Sequence, residues 1–123
     1  MILVDTSVWV SHFRTGEIGL TELLNEGRVV CHSFIIGELA CGNLKNRSGI
    51  LSLFGALPMA VEAGHEEVME FIESRRLMGK GLGYVDAHLL ASAVLSDIPL
   101  WTFDKRLMGA ASKLNKRYPA SHS

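Results

Sequence analysis

Two cysteines, no long hydrophobic run and no surplus of either charge: most of what this sequence lacks removes a class of protein. Cys31 and Cys41 are too few for a disulfide scaffold, and their apolar contexts read as reduced core positions of a cytoplasmic protein. No apolar run reaches the ~18 residues of a membrane span. Met1-Ile2-Leu3-Val4 is apolar from the first residue, with no basic stretch before it and an acid at Asp5, which is not the form of a signal peptide. No linker, internal repeat or low-complexity tract interrupts the chain. No His/Cys group has zinc spacing, since Cys31, His32 and Cys41 offer three possible ligands without a fourth nearby.

What is present suits a single globular domain over residues 1–123. The chain has 48% hydrophobic and 20% charged residues, which excludes disorder, and at this length roughly two-thirds of the unfolded surface can be buried. The net charge of −1 hides an asymmetry. Residues 1–74 carry four basic and ten acidic side chains, giving −6, and residues 75–123 carry eight basic and three acidic ones, giving +5. Such a split is compatible with a polyanion partner on one face.

Strand and helix signals alternate throughout. Ile2-Leu3-Val4 is a short apolar run expected of a strand buried on both faces. Thr6 or Ser7 opens a helix through Phe13, broken at Gly16; a second runs from Gly19 to Glu26 and stops at Gly27. Val29-Val30-Cys31 reads as a strand. Ser33 is placed to cap a helix over Phe34–Cys41. A polar connection over 43–49 leads to a short helix over Ile50–Phe54, and Leu57–Val61 reads as a third strand with Pro58 holding it at an edge or start. A long helix is expected over His65–Met78, then a hinge-like loop with Gly79, Gly81 and Gly83, an apolar helix over Asp86–Leu95, a strand over Pro99–Thr102, and a last helix over Asp104–Leu114. The tail from Pro119 to Ser123 is expected to fray. This order implies an α/β sandwich with a mainly parallel sheet.

Four acids stand out against the solvated row Glu66, Glu67, Glu70 and Glu73. Asp5 directly follows the first strand, at the end of a parallel sheet where sites form; it also suits a helix N-cap. Glu38 shares a helical face with Ile35, Leu39 and Gly42, on a helix apolar nearly all round, so it is expected to be buried or nearly so, and to need a cation or an Arg. Asp86 shares a face with Leu89, Leu90, Ala93 and Asp97, yet sits in a first turn where the helix dipole favours an acid. Asp104 repeats the pattern of Asp5: strand, turn, acid, helix. Clustered at one mouth of a sheet, four carboxylates would repel unless cations joined them, and Mg²⁺ or Mn²⁺ takes such hard oxygen ligands.

With these residues in view, the sequence resembles the PIN-domain nucleases. Met1-Ile-Leu-Val-Asp5-Thr-Ser7-Val-Trp looks like their opening, Ile36-Gly-Glu38-Leu like their glutamate helix, and Gly83-Tyr-Val-Asp86-Ala-His-Leu-Leu-Ala-Ser92 and Leu100-Trp-Thr-Phe-Asp104-Lys-Arg-Leu like their two later motifs. The likeness is nearest to the VapC toxins of toxin–antitoxin pairs and spans the chain in order. It implies a PIN-like three-layer α/β/α sandwich and an endoribonuclease using Mg²⁺, with Mn²⁺ as substitute, at Asp5, Glu38, Asp86 and Asp104. Asp5 and Asp86 are the expected principal ligands. Thr6, Thr102, Lys105 and Arg106 are expected around the substrate, with Arg75, Arg76 and Lys80 as further phosphate contacts. A VapB-like antitoxin is the implied partner. A homodimer is expected too, since Leu20, Leu23, Leu24, Ile50, Leu51, Leu53 and Phe54 supply more apolar helix surface than one small sheet needs.

Other readings have a place. A housekeeping PIN nuclease in RNA processing would carry the same acids, and a module that only binds a partner would not cleave. A receiver or other phosphotransfer domain needs a neighbouring acidic pair or Asp-x-Asp after the first strand, where this chain has Asp5-Thr6-Ser7. His12, His32, His65, His88 and His122 are too scattered for a metal-independent ribonuclease.

Overall fold

The computed structural model of the chain describes residues 1–120; His122 and the end of the tail lie outside the described residues. Within them three parallel strands, β1 (Ile2–Val4), β2 (Val29–Val30) and β3 (Leu100–Trp101), form a sheet in the order β2-β1-β3. The register pairs Ile2 with Val29 and Leu3 with Val30 on one side, and Leu3 with Leu100 and Val4 with Trp101 on the other. β1 is central, and all three of its side chains are buried, as its unbroken apolar run requires.

Among the described residues seven helices surround the sheet: α1 (Thr6–Thr15), α2 (Ile18–Asn25), α3 (Ser33–Ala40), α4 (Arg47–Ala56), α5 (His65–Arg75), α6 (Tyr84–Ser96) and α7 (Lys105–Lys113). They pack in two sets: α1 against α3 and α3 against α4, and α6 against α5, α7 and β3. This is the α/β arrangement expected from the alternating pattern. Trp9 on α1 and Phe54 on α4 are fully buried, with rings edge-on at 4.9 Å; removing a buried aromatic of this kind costs about 3–5 kcal/mol.

Several local expectations are corrected. Helix α1 opens at Thr6 with Asp5 as its cap, both as expected, but the cap of α3 is His32 rather than Ser33. Helix α4 begins at Arg47, after a left-handed Asn46, and α5 ends before a left-handed Arg76, short of Met78. The proposed strand over 57–61 is reduced to one parallel bridge, Cys31 to Met59. At the opposite edge the bridge between Leu100 and Arg117 adds a contact the sequence did not announce, and just before the tail Tyr118 packs on Trp101 with ring centres 5.4 Å apart. Cys31 is buried but Cys41 is exposed, and both are free thiols. Leu20, Leu23 and Phe54 lie in the core and Leu24, Ile50 and Leu51 pack against it. Of the seven residues read as surplus apolar surface, Leu53 alone is exposed.

Candidate metal centre

The carboxyl ends of β1 and β3 lie side by side, and each delivers an acid to the start of a helix. Asp5 is buried, at 7% exposure. Its Oδ2 accepts from the Ser7 hydroxyl at 2.7 Å and the Thr102 hydroxyl at 2.8 Å. Thr102 Oγ1 in turn accepts from the Asp104 backbone N–H at 3.0 Å, and Ser7 Oγ from that of Phe103 at 3.0 Å. Two hydroxyls thus tie the end of β1 to the turn after β3. Asp104 caps α7, its Oδ1 accepting from the N–H groups of Arg106 and Leu107 at 2.9 and 3.0 Å.

Asp86 joins them from α6. It is half-buried, above the buried Leu89, Leu90 and Ala93 of its stripe, and its Oδ2 accepts from the Gly83 N–H at 2.9 Å. Burial first, then the nearby charges of Asp5 and Asp104, push its carboxyl above the ordinary value of 3.8, against the pull of the Gly83 N–H. The three acids therefore share one electrostatic site, assembled from segments up to 99 residues apart in the chain. Each is anchored through one of its two carboxylate oxygens.

Glu38 departs from expectation: it is exposed, not buried, and its Oε1 accepts from the Thr6 hydroxyl at 2.7 Å. Ile35 and Leu39 fill the core side of α3, and Glu38 stands at the edge of that face. Asp97 also leaves its stripe, as the exposed left-handed C-cap of α6, paired with Lys116 at 2.6 Å. Thr102, expected at the substrate, is buried at 3% exposure with its hydroxyl donated to Asp5. Lys105 and Arg106 are exposed at the start of α7. Ser7 was missed as a contributor. Its only sequence signal was a hydroxyl two residues after a strand-end Asp, within reach of that carboxylate.

Among the described residues no group of three or more His, Cys, Asp or Glu side chains is posed to hold a metal ion. The donor set itself fits one: hard carboxylate oxygens of like charge, each half-anchored, with a raised proton affinity at Asp86. Beside Glu38 opens a groove of about 590 Å³ lined by Thr6, Val10, Phe13, Leu39, Leu44 and Ile50 among others.

A second polar group lies at the end of β2. His32 caps α3, its Nδ1 accepting from the Phe34 N–H at 3.0 Å. Its Nε2, both ring nitrogens of His88 and the Ser92 hydroxyl are buried without a hydrogen-bond partner among the described residues. Burial holds the pKa of both His32 and His88 below 6.5. Glu62 braces the same turn by accepting from the Ser33 N–H and hydroxyl at 3.0 and 2.7 Å.

The PIN domain family model matches residues 2–113. The chain is 46% identical over 114 residues to Ribonuclease VapC32 of Mycobacterium tuberculosis, in strains CDC 1551 / Oshkosh and ATCC 25618 / H37Rv, covering 92% of this chain and 92% of the relative. Among solved structures, FitAcB from Neisseria gonorrhoeae aligns with a TM-score of 0.63 at 19% identity, over 91% of this chain and 94% of that one. PAE2754 from Pyrobaculum aerophilum aligns at 0.60 and 18% identity, over 89% and 78%. These structural likenesses show the fold.

Proposed function

As this chain belongs to the PIN-domain family and groups with the VapC-type ribonucleases, we propose that it is the toxin of a VapBC-type pair, a cytoplasmic endoribonuclease that uses Mg²⁺, or Mn²⁺ in its place. The observation that carries this reading is the convergence of Asp5 and Asp104 on Asp86, whose carboxyl is pushed up by burial first and then by these two charges. Asp5 and Asp86 would be the principal ligands, with Asp104 and Glu38 completing the set. A divalent ion held there would supply positive charge to the phosphate as charge develops and would acidify the attacking water.

The chain's own groups do the positioning. Ser7 and Thr102 hold Asp5, the Gly83 N–H holds Asp86, and the first N–H groups of α7 hold Asp104. Glu38 is restrained by Thr6 and stands free to orient water or a second ion. Lys105 and Arg106 face the phosphate backbone of a single-stranded or looped RNA. In-line attack by water expels the 3′ oxygen, leaving a 5′-phosphate and a 3′-hydroxyl.

The antitoxin is a VapB-like protein whose segment lays apolar side chains in the groove beside Glu38 and brings an Arg or Lys to the acids. Pairing of two copies belongs to the same proposal; the exposed apolar side chains available for it include Ile18, Leu53, Val61 and Leu95. End-labelling the products of a short RNA tests the chemistry: ligatable 5′-phosphates, abolished by EDTA and restored by Mn²⁺, are expected. A 2′,3′-cyclic phosphate formed equally well in EDTA would remove the carboxylates from the reaction. Expression of the folded chain alone should arrest growth, and harmless expression would favour a housekeeping nuclease.

A further inference from the structure

Lys105 and Arg106 both stand at the start of α7, but Arg106 has a seat. Gly81, in the loop before α6, adopts a φ of +75°. A Cβ added there would lie 2.8 Å from Arg106 Cδ, 2.8 Å from one of its terminal guanidinium nitrogens and 3.0 Å from Cζ. The arginine side chain therefore lies along the bare Cα of the glycine, and any other residue at 81 would occupy its place. The contact spans the two segments that carry acids. The Arg106 backbone N–H bonds Asp104, and two residues beyond Gly81 the Gly83 N–H bonds Asp86. It also brings the loop bearing Lys80 onto the helix that opens with Lys105 and Arg106, within the basic half of the sequence.

The guanidinium itself is uncommitted. Ion pairs among the described residues join Arg28 to Glu26 and Lys116 to Asp97, and no hydrogen bond engages the Arg106 side chain there. A planar fork of five donors, placed by packing beside a carboxylate site and bound to none of its acids, suits an anion with paired oxygens. The non-bridging oxygens of a phosphodiester are such a pair.

Resting on the nuclease reading above, we infer that Arg106, seated on Gly81, grips a phosphate of the RNA strand next to the scissile bond, and that position 81 sets the specificity of that grip by having no side chain. Arg106 is a substrate-binding residue, and Gly81 a positioning residue that acts through it.

The test uses the full chain and a fluorescent single-stranded oligoribonucleotide. Binding is read by anisotropy in EDTA with Asp86→Asn as parent, and cleavage by steady-state kinetics with Mg²⁺ in the otherwise wild-type chain. Arg106→Ala should weaken binding about tenfold or more, as for loss of a charged hydrogen-bond pair, and should lower the slope of log affinity against log salt by about 0.7. Arg106→Lys should recover little, since it restores charge without the fork. Gly81→Ala should reproduce the loss, largely in KM, although the arginine remains. Gly79→Ala is the matched control: its φ is +72°, and nothing lies within 4 Å of an added Cβ. It carries the same backbone strain and should bind as the parent does. In an Arg106→Ala background, Gly81→Ala should add nothing. RNA binding that Arg106→Ala leaves unchanged, or equal effects of the two glycine substitutions, would overturn the inference and leave the nuclease intact. A wild-type chain that neither binds nor cleaves RNA would overturn the nuclease reading and this inference together.

Discussion

The ends of β1 and β3 differ from the end of β2 in one residue type, and the two regions diverge from there. In all three places the chain leaves a strand, turns, and caps a helix with a polar side chain: Asp5 for α1, Asp104 for α7, His32 for α3. In all three the capping group uses one atom and has a second to spare. At β1 and β3 that spare atom is a carboxylate oxygen near other carboxylates, so the region gains by acquiring a cation. At β2 it is the Nε2 of a fully buried imidazole, and burial removes the charge instead. The same capping device yields a charged, partly open site in one case and a neutral, closed one in the other.

The largest expected effect comes from breaking the charged region. Asp5→Asn or Asp86→Asn should lower cleavage by ~10²–10³-fold or more, the scale of losing one electrostatic stabiliser of a transition state. Folding should survive, because Asn caps α1 as well as Asp5 does, and an Asn at 86 keeps an oxygen to accept from the Gly83 N–H. For Asp86 the sign of the stability change is fixed. Its folded pKa lies above the ordinary 3.8, so the folded state binds the extra proton and stability falls as pH rises through that window. Asp86→Asn should therefore melt higher than wild type at neutral pH in EDTA, with the gain shrinking toward pH 3.8. Mg²⁺ should reverse the order: at 100 times its dissociation constant it stabilises the wild type by about 2.7 kcal/mol, and the variant much less. Thermal melts with and without Mg²⁺ read both.

A smaller effect is expected at the neutral region. The pKa of His32 is held below 6.5 in the fold, so the unfolded chain takes up the proton first and stability falls as pH drops below about 6.5. His32→Asn keeps a capping group and should flatten that part of the pH–stability profile, seen in urea melts, while cleavage by the variant changes by no more than a few-fold. A loss as large as that of Asp86→Asn would mean that the two regions work as one site.

The two regions were not equally legible. Asp5 and Asp104 could be read from a strand, a turn and an acid, because local order alone puts a capping residue at a parallel sheet's carboxyl end. Asp86 stood out because it shares a stripe with leucines that are indeed buried. Glu38 was misread: it lies about 100° around the helix from Leu39, enough to take it from the core to the rim. The hydroxyl link from Thr102 was hidden for a different reason. Thr102 meets Asp5 across 97 positions, and no local pattern encodes such a meeting. The seat of Arg106 on Gly81 was equally invisible, since it depends on a missing Cβ rather than a present group.

The smallest effect serves as a probe. Burial pushes the Cys31 thiol, next to His32, up to about 11, whereas Cys41 is exposed. A thiol reagent should modify Cys41 at once without loss of cleavage and reach Cys31 only as the fold opens. Rapid double labelling of the native chain would show the β2 end to be less closed than its burial indicates.

A last consequence concerns the sheet's borders. Each outer strand is met by another stretch of chain: Met59 bridges to Cys31 beyond β2, and Arg117 to Leu100 beyond β3. Lys116 offers its carbonyl to the Leu100 N–H, and Tyr118 donates its own N–H to the Leu100 carbonyl. Open strand borders recruit neighbouring molecules into fibrils and aggregates. With two short segments laid along its flanks, this sheet gives a second chain little to zip onto, and copies can crowd together at high expression with their backbones already satisfied.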